Sequence, residues 1–329
     1  MRAALYFIIC FFLFFSEVSS STELDRLLPI WESAALTCSS NGVDFPSKQT
    51  GDPSQPCDDG DMTLFNGLLC AAGDSRGCVG VAEAQDPITG LWHRSPRIRF
   101  LGKNDRGNAD SSPDMALGIQ LYLIQTKDVV RAKKWLLWIN DNTPCLMVSN
   151  GVCIVEGLPR FCNSADCTIR PLDYANLSAT VNYLQDSAGL GVLPDGRLRG
   201  LLGTFSGLEE AGKLIDSYVN KPGYSQHLVG VGIYALRKIG RSSIVLHQAE
   251  TKLMEENPGN AFFSYLAIGA GEKVEREVKA RCPANTENLI RPLFQWQWER
   301  SSNVGENGLY AWQQSSLWDC IFMARLLGR

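Results

Sequence analysis

Between Asp114 and Gln125 the chain reads DMALGIQLYLIQ, with apolar side chains in nearly every direction around a helix. Such a helix has no face to offer water, so other elements must enclose it on all sides. The next stretch, VVRAKKWLLWIN, behaves differently: Ala132, Trp135, Leu136 and Ile139 follow the i, i+3, i+4, i+7 spacing while Arg131, Lys133 and Lys134 face away. An enclosed helix followed by a two-faced one cannot close a core alone, so the couple must repeat.

It does repeat. Enclosed helices are expected near residues 62–72, 114–125, 174–185, 227–238, 260–269 and 316–327. Besides 129–140, two-faced partners are expected at four places. One is Glu23 to Leu36, which Pro29 should bend or divide. Another is SGLEEAGKLIDSYVNKPG, with a Ser206 and Glu209 capping box and Leu208, Ala211, Ile215 and Tyr218 on its inward face. The others are SSIVLHQAETKLMEEN from Ser242 and EKVEREVKARC, with Val274 and Val278 on one side. A sixth partner is missing. Its place holds GCVGVAEAQDPITGLWHRSPRIRF, where Asp86 to Gly90 marks a turn between extended flanks, so a short β-hairpin-like insertion is expected near 79–100. The fold expected is all-α, six inner helices ringed by outer ones: an (α/α)6 toroid, or an incomplete one, forming a single domain over 21–329.

Residues 1–20 carry Arg2, an uncharged apolar run from Leu5 to Phe15, and the small-residue exit Val18-Ser19-Ser20. That is the pattern of a secretory signal peptide, too short for a spanning helix. Secretion, or export to a periplasm, is therefore expected, with no membrane association after cleavage. Without Cys10, ten cysteines remain. An even number in an exported chain argues for disulfides, and Cys70 with Cys78, Cys145 with Cys153, and Cys162 with Cys167 are closely spaced candidates. No CxxC occurs and only three histidines exist, so no zinc site, and no cofactor, is expected. A formal net charge of −4 with no basic block leaves nucleic acid without an electrostatic footprint. Asn176-Leu177-Ser178 is a glycosylation sequon.

The alternation of helices resembles that of the secreted glycoside hydrolases and polysaccharide lyases built as (α/α)6 toroids. The resemblance covers most of the chain after residue 20, is one of architecture, and matches no catalytic motif residue by residue. It implies that inner-helix N-termini line a glycan-binding cleft. DMTLFNGLLCAAGD from Asp61 and DMALGIQLYLIQTKD from Asp114 both open Asp-Met and read as equivalent units. Each Asp sits where an N-cap belongs, accepting bonds from free backbone N–H groups. On the resemblance the same positions converge at a substrate, and Asp59 or Asp61 paired with Asp114 would supply the acid and the base or nucleophile of glycoside hydrolysis. Crowding within Asp58-Asp59-Gly60-Asp61 would raise one carboxyl pKa; the same cluster also offers oxygen ligands for a hard cation.

Substrate contacts are expected from aromatic platforms and polar groups around that rim: Trp92, His93, Arg97, Tyr174, His227, Trp296, Trp298, Arg300 and Tyr310. The tryptophans serve equally as packing residues. Arg94, Arg97 and Arg99, alternating along one strand, would clamp an acidic sugar. In that case a lyase is the competing enzyme, with His227 or Tyr174 removing a proton by β-elimination. A noncatalytic helical domain that binds glycan or protein is the third reading. GDSRG, Gly73 to Gly77, fits a serine nucleophile elbow in letters but follows a helix-like run where that motif needs a strand.

Overall fold

A computed structural model describes residues 23–49, 57–58, 60–102, 111–285, 296–299 and 316–329. The signal-like segment and Asp59, Arg300 and Tyr310 lie outside these residues. The chain is mostly helical.

The enclosed runs become helices in which most residues are buried, although α7 exposes Asn182, Asp186 and Ser187. After α1 (Glu23–Ala34) come α2 (Met62–Ala71), in which every residue is buried, α3 (Ser75–Ala82), α4 (Pro96–Leu101) and α5 (Pro113–Thr126), buried without a break from Met115 to Ile124. Then follow α6 (Val129–Asp141), α7 (Pro171–Ala188), α8 (Arg197–Phe205), α9 (Glu209–Val219), α10 (Tyr224–Lys238), α11 (Ile244–Glu256), α12 (Ala261–Ile268), α13 (Glu272–Arg281) and α14 (Trp318–Leu326). The reason α5 is apolar all round is visible in its packing. Met115, Leu117, Leu121 and Ile124 join a core built with α1, α2, α10, α12 and α14, whereas Ala116, Ile119, Tyr122 and Leu123 join a second core with α6, α7 and α8.

Helices α2 and α5 cross with their backbones in contact. A Cβ on Gly67 would stand 2.3 Å from the Gly118 carbonyl oxygen, and one on Gly118 would stand 2.2 Å from that of Thr63. Only glycine at both positions permits this approach. Among the described residues there are five disulfides, Cys38–Cys57, Cys70–Cys78, Cys145–Cys153, Cys162–Cys167 and Cys282–Cys320, all but Cys145–Cys153 with at least one buried cysteine. The three short-range pairs are those expected from spacing, and the set fits an oxidising compartment.

Several local expectations are corrected. Pro29 does not divide α1, which runs unbroken from Glu23 to Ala34 with the proline on its exposed side. The insertion near 79–100 is not a hairpin. It holds α3, a tight Asp86–Gly90 turn closed by the single bridge Gln85–Trp92, and α4, capped by Ser95 with Pro96 in its first turn. The Ser95-Pro96 pair is a helix-start signal that outweighs the alternating arginines. Two true hairpins occur elsewhere, β1 (Thr37–Ser40) with β2 (Val43–Pro46), and, after the short paired strands β3 (Lys48–Gln49) and β4 (Cys57–Asp58), β5 (Cys145–Ser149) with β6 (Val152–Glu156). Both turn at Asn-Gly, Asn41-Gly42 and Asn150-Gly151, with positive φ at each residue.

A further correction concerns α9, which is turned inside out. Ile215 and Tyr218, 58% and 62% exposed, face outward together with Leu208 and Ala211, while Gly212, Lys213 and Ser217 are buried. The Ser206–Glu209 capping box does not form, because α8 runs up to Phe205 and buried Glu209 instead pairs with Arg241 at 3.1 Å.

Candidate functional site

Asp61 stands at the N-cap position of α2 but does not act as a cap. Its backbone is left-handed, φ 60°, and its carboxylate makes no bond to the helix start. Instead Oδ1 pairs with Arg94 Nη1 at 2.7 Å. Arg94 is held there because Thr63 docks its loop: the Thr63 N–H and hydroxyl both donate to the Arg94 carbonyl, at 2.8 and 2.9 Å. A left-handed aspartate costs more than a glycine would, and such strain is retained where surrounding contacts over-determine it.

Asp114 lies in the first turn of α5, after Ser112 and Pro113, so it too is not the cap residue. Its Oδ2 accepts a hydrogen bond from the Tyr224 hydroxyl at 2.6 Å, across the start of α10. Burial, reinforced by the charge of Asp61, raises the Asp114 pKa, while the Tyr224 bond and the charges of Arg170 and Arg94 act against the rise. Tyr224 in turn is pushed up by burial and by the charges of Asp61, Asp114 and Glu299, so it stays a neutral donor. The two aspartates that the sequence sets 53 positions apart therefore share one electrostatic environment.

Polar groups also act between the starts of other enclosed helices. Arg170, immediately before α7, senses Asp114. Asn260 caps α12 and donates to the Trp298 carbonyl at 2.9 Å, and the Trp298 indole donates to the Asp319 carbonyl in the first turn of α14, also at 2.9 Å. Tyr224 thus joins the starts of α5 and α10, and Asn260, Trp298 and Asp319 join those of α12 and α14.

Beside Asp114 opens a cleft of about 360 Å³ between α5, α7, α9 and α10. The inverted α9 supplies Lys213 and Asp216 to its wall, and α7 supplies Asp173 and Asn176, with Arg170 just before it. Arg170 pairs with Asp173 at 2.8 Å and Lys213 with Asp216 at 3.6 Å. Burial lowers the Lys213 pKa. Asn176 is only 4% exposed, and its Oδ1 has no hydrogen-bond partner among the described residues. Buried within a helix, the sequon asparagine is not presented for glycosylation.

Most of the expected contact residues lie elsewhere. Trp92 is a core residue, its indole donating to the Val81 carbonyl at 2.6 Å and its ring edge-on to Trp135. Trp296 stacks on Phe65 at 4.7 Å, and Trp298 is fully buried; neither offers a face to a sugar. His93 is buried under the turn, with its backbone N–H on the Ala84 carbonyl. Arg97 is partly buried on α4, and Arg99 from the same helix reaches the Gln85 carbonyl at 3.1 Å and Glu83 at 3.5 Å. Tyr174 stacks on Phe205, and burial raises its pKa. His227 is wholly buried beside Phe262, and burial depresses its pKa to about 3. Neither is placed as a base, because neither is open to a substrate.

Among the described residues no group of three His, Cys, Asp or Glu side chains is arranged to hold a metal ion. The cation reading of Asp58 to Asp61 falls largely on side chains outside the description. Ser75 of GDSRG opens α3 behind its cap Asp74 and follows α2, so it is not on a strand-to-helix elbow. Tyr224, Lys213 and Asp216 were not expected. Tyr224 follows Pro222-Gly223, a signal that starts α10 one turn earlier than the apolar run; α9 carried the opposite signal, since its apolar pattern turned Lys213 outward. Comparison of the chain with protein-family models, with curated proteins and with solved structures finds no match.

Proposed function

We propose that this chain is an exported glycan-degrading enzyme, a glycoside hydrolase in which Asp114 is the general acid and Asp61 the base or nucleophile. The observation that carries the reading is the asymmetry of the two carboxyls. Asp114 is partly buried with a raised pKa, suited to hold a proton, while Asp61 faces Arg94 as its ion-pair partner. A carboxyl that favours its proton, near a second one held against an arginine, is the kind of asymmetry that acid and base roles require. Asp114 would protonate the glycosidic oxygen as its bond to the anomeric carbon breaks, and Asp61 would either attack that carbon or take a proton from the attacking water. The five disulfides support export, and six enclosed helices, with the starts of α5 and α10 and of α12 and α14 joined, support an (α/α)6 toroid forming a single domain. The β-elimination alternative loses its bases, since His227 and Tyr174 are enclosed.

The test is incubation of the mature protein with a glycan panel, read for new reducing ends and for low-ultraviolet absorbance. Hydrolysis gives the first signal without the second, elimination gives both, and a binding domain gives neither. Either of the last two outcomes rejects the proposal.

A further inference from the structure

The cleft beside Asp114 is built for hydroxyl groups and against carboxylates. Its cations are already engaged: Arg170 faces Asp173 and Lys213 faces Asp216. With Asp114 holding its proton, these two ion pairs leave the wall without net charge. An acidic sugar ring entering here would bring a negative charge to a wall whose two cations already have carboxylate partners, and an uncompensated charge in a partly desolvated cleft is costly. Of the three arginines that the sequence offered as clamps, none lines the cleft, and Arg94 pairs with Asp61 and Arg99 with Glu83.

Two further observations point to a ligand rather than to a structural ion network. The first is the reversal of α9, which buries Lys213 and Ser217 while exposing Ile215 and Tyr218. A helix that turns its polar face inward against its own pattern forgoes apolar burial, and such local violations gather at functional sites. The second is Asn176, a residue of the cleft wall that is 4% exposed and whose buried carboxamide oxygen has no partner among the described residues. A buried acceptor left unpaired costs on the order of a lost hydrogen bond unless a ligand donates to it.

We infer that this cleft is a subsite for one uncharged sugar ring of the glycan, with a hydroxyl donating to Asn176 Oδ1. The paired side chains around it present donors and acceptors alternately, the arrangement a hydroxyl satisfies because it both donates and accepts. Leu117, Leu172 and Val229 supply apolar surface for the ring's C–H face. A volume of about 360 Å³ is at the small end of ligand pockets and suits a single ring. This inference rests on the glycan reading of the same site but specifies the substrate class, neutral rather than uronate.

Binding is measured by titration calorimetry on the full mature chain carrying Asp114→Asn, so that turnover does not interfere. The probes are tetrasaccharides of glucose, xylose, mannose and N-acetylglucosamine, against tetragalacturonate and tetramannuronate. At least one neutral tetrasaccharide should bind ten-fold or more tighter than either uronate. Asn176→Leu should weaken that binding about ten-fold, and Asn176→Asp, which keeps an acceptor, should recover most of it, with circular dichroism confirming that each variant is folded. Equal or tighter uronate binding, no binding by any probe, or indifference to Asn176→Leu in a folded variant overturns the inference. A protein that binds neutral sugars but releases no reducing ends keeps the subsite and loses the hydrolase; one that cleaves only uronate polymers does the reverse.

Discussion

The hydroxyl of Tyr224 lies 2.6 Å from Asp114 Oδ2, joining the first turns of two enclosed helices whose residues are 110 positions apart in the chain. This bond favours the ionised form of Asp114 against burial, which favours the protonated one. The balance between them sets where the proposed acid titrates.

Tyr224→Phe removes the donor and leaves the ring. The Asp114 pKa should then rise further, and the alkaline limb of the kcat/KM profile should move to higher pH. A hydrogen bond to a charged group contributes roughly 1.5–3 kcal/mol, so the shift should be about one to two pH units. A profile that keeps its alkaline limb in place would show that Asp114 is not the acid.

Asp61 should separate stability from activity. Asp61→Gly relieves a left-handed backbone but deletes the carboxylate facing Arg94. Turnover should fall by at least about 10³-fold, while denaturant unfolding stays within about 1 kcal/mol of the parent or moves up. Loss of several kcal/mol would mean that the ion pair serves the fold instead.

Gly118→Ala should be among the costliest single substitutions. Its methyl group would meet backbone at the α2–α5 crossing, which cannot yield without separating the helices. About 3 kcal/mol or more of destabilisation is expected from urea unfolding.

The disulfides should be unequal. Cys282–Cys320 ties the end of α13 to α14 across 38 residues, and its replacement by serines should cost about 4 kcal/mol. Cys145–Cys153 staples a hairpin whose strand residues are all exposed, so that ribbon opens without unfolding the core. Its double serine variant should lose under about 1 kcal/mol by thermal unfolding.

His227 predicts an acid limit to stability. Its native pKa, about 3, lies below the unfolded value near 6.5, so between those values the unfolded chain binds a proton that the native state refuses. Its contribution to stability is therefore lost progressively as pH falls from about 6.5 toward 3, by several kcal/mol in all. The raised pKa of Asp114 acts with the opposite sign, since the native state holds its proton more tightly than the unfolded chain does. His227→Leu should flatten the stability-versus-pH curve over that window; an unchanged slope would place the acid sensitivity elsewhere.

Periodicity alone located the six enclosed helices within a few residues, because a helix without a polar face has one way to avoid water. Cysteine spacing likewise named three of the five disulfides, the short loops that leave little choice of partner. What only the tertiary structure decided was which polar side chains meet. Trp92, Trp296 and Trp298 read as sugar platforms from composition, yet packing placed them inside, since nothing local distinguishes a tryptophan that seals a core from one that faces a ligand. Tyr224 and Asp114 became partners through helix starts brought together from distant parts of the chain. Most tellingly, α9 carries a pattern for one orientation and adopts the other. Its apolar stripe would have gained burial facing inward, but the space there beside Asp114 is taken by Lys213 and Asp216, and a helix's rotation about its axis is set by everything packed against it rather than by its own residues.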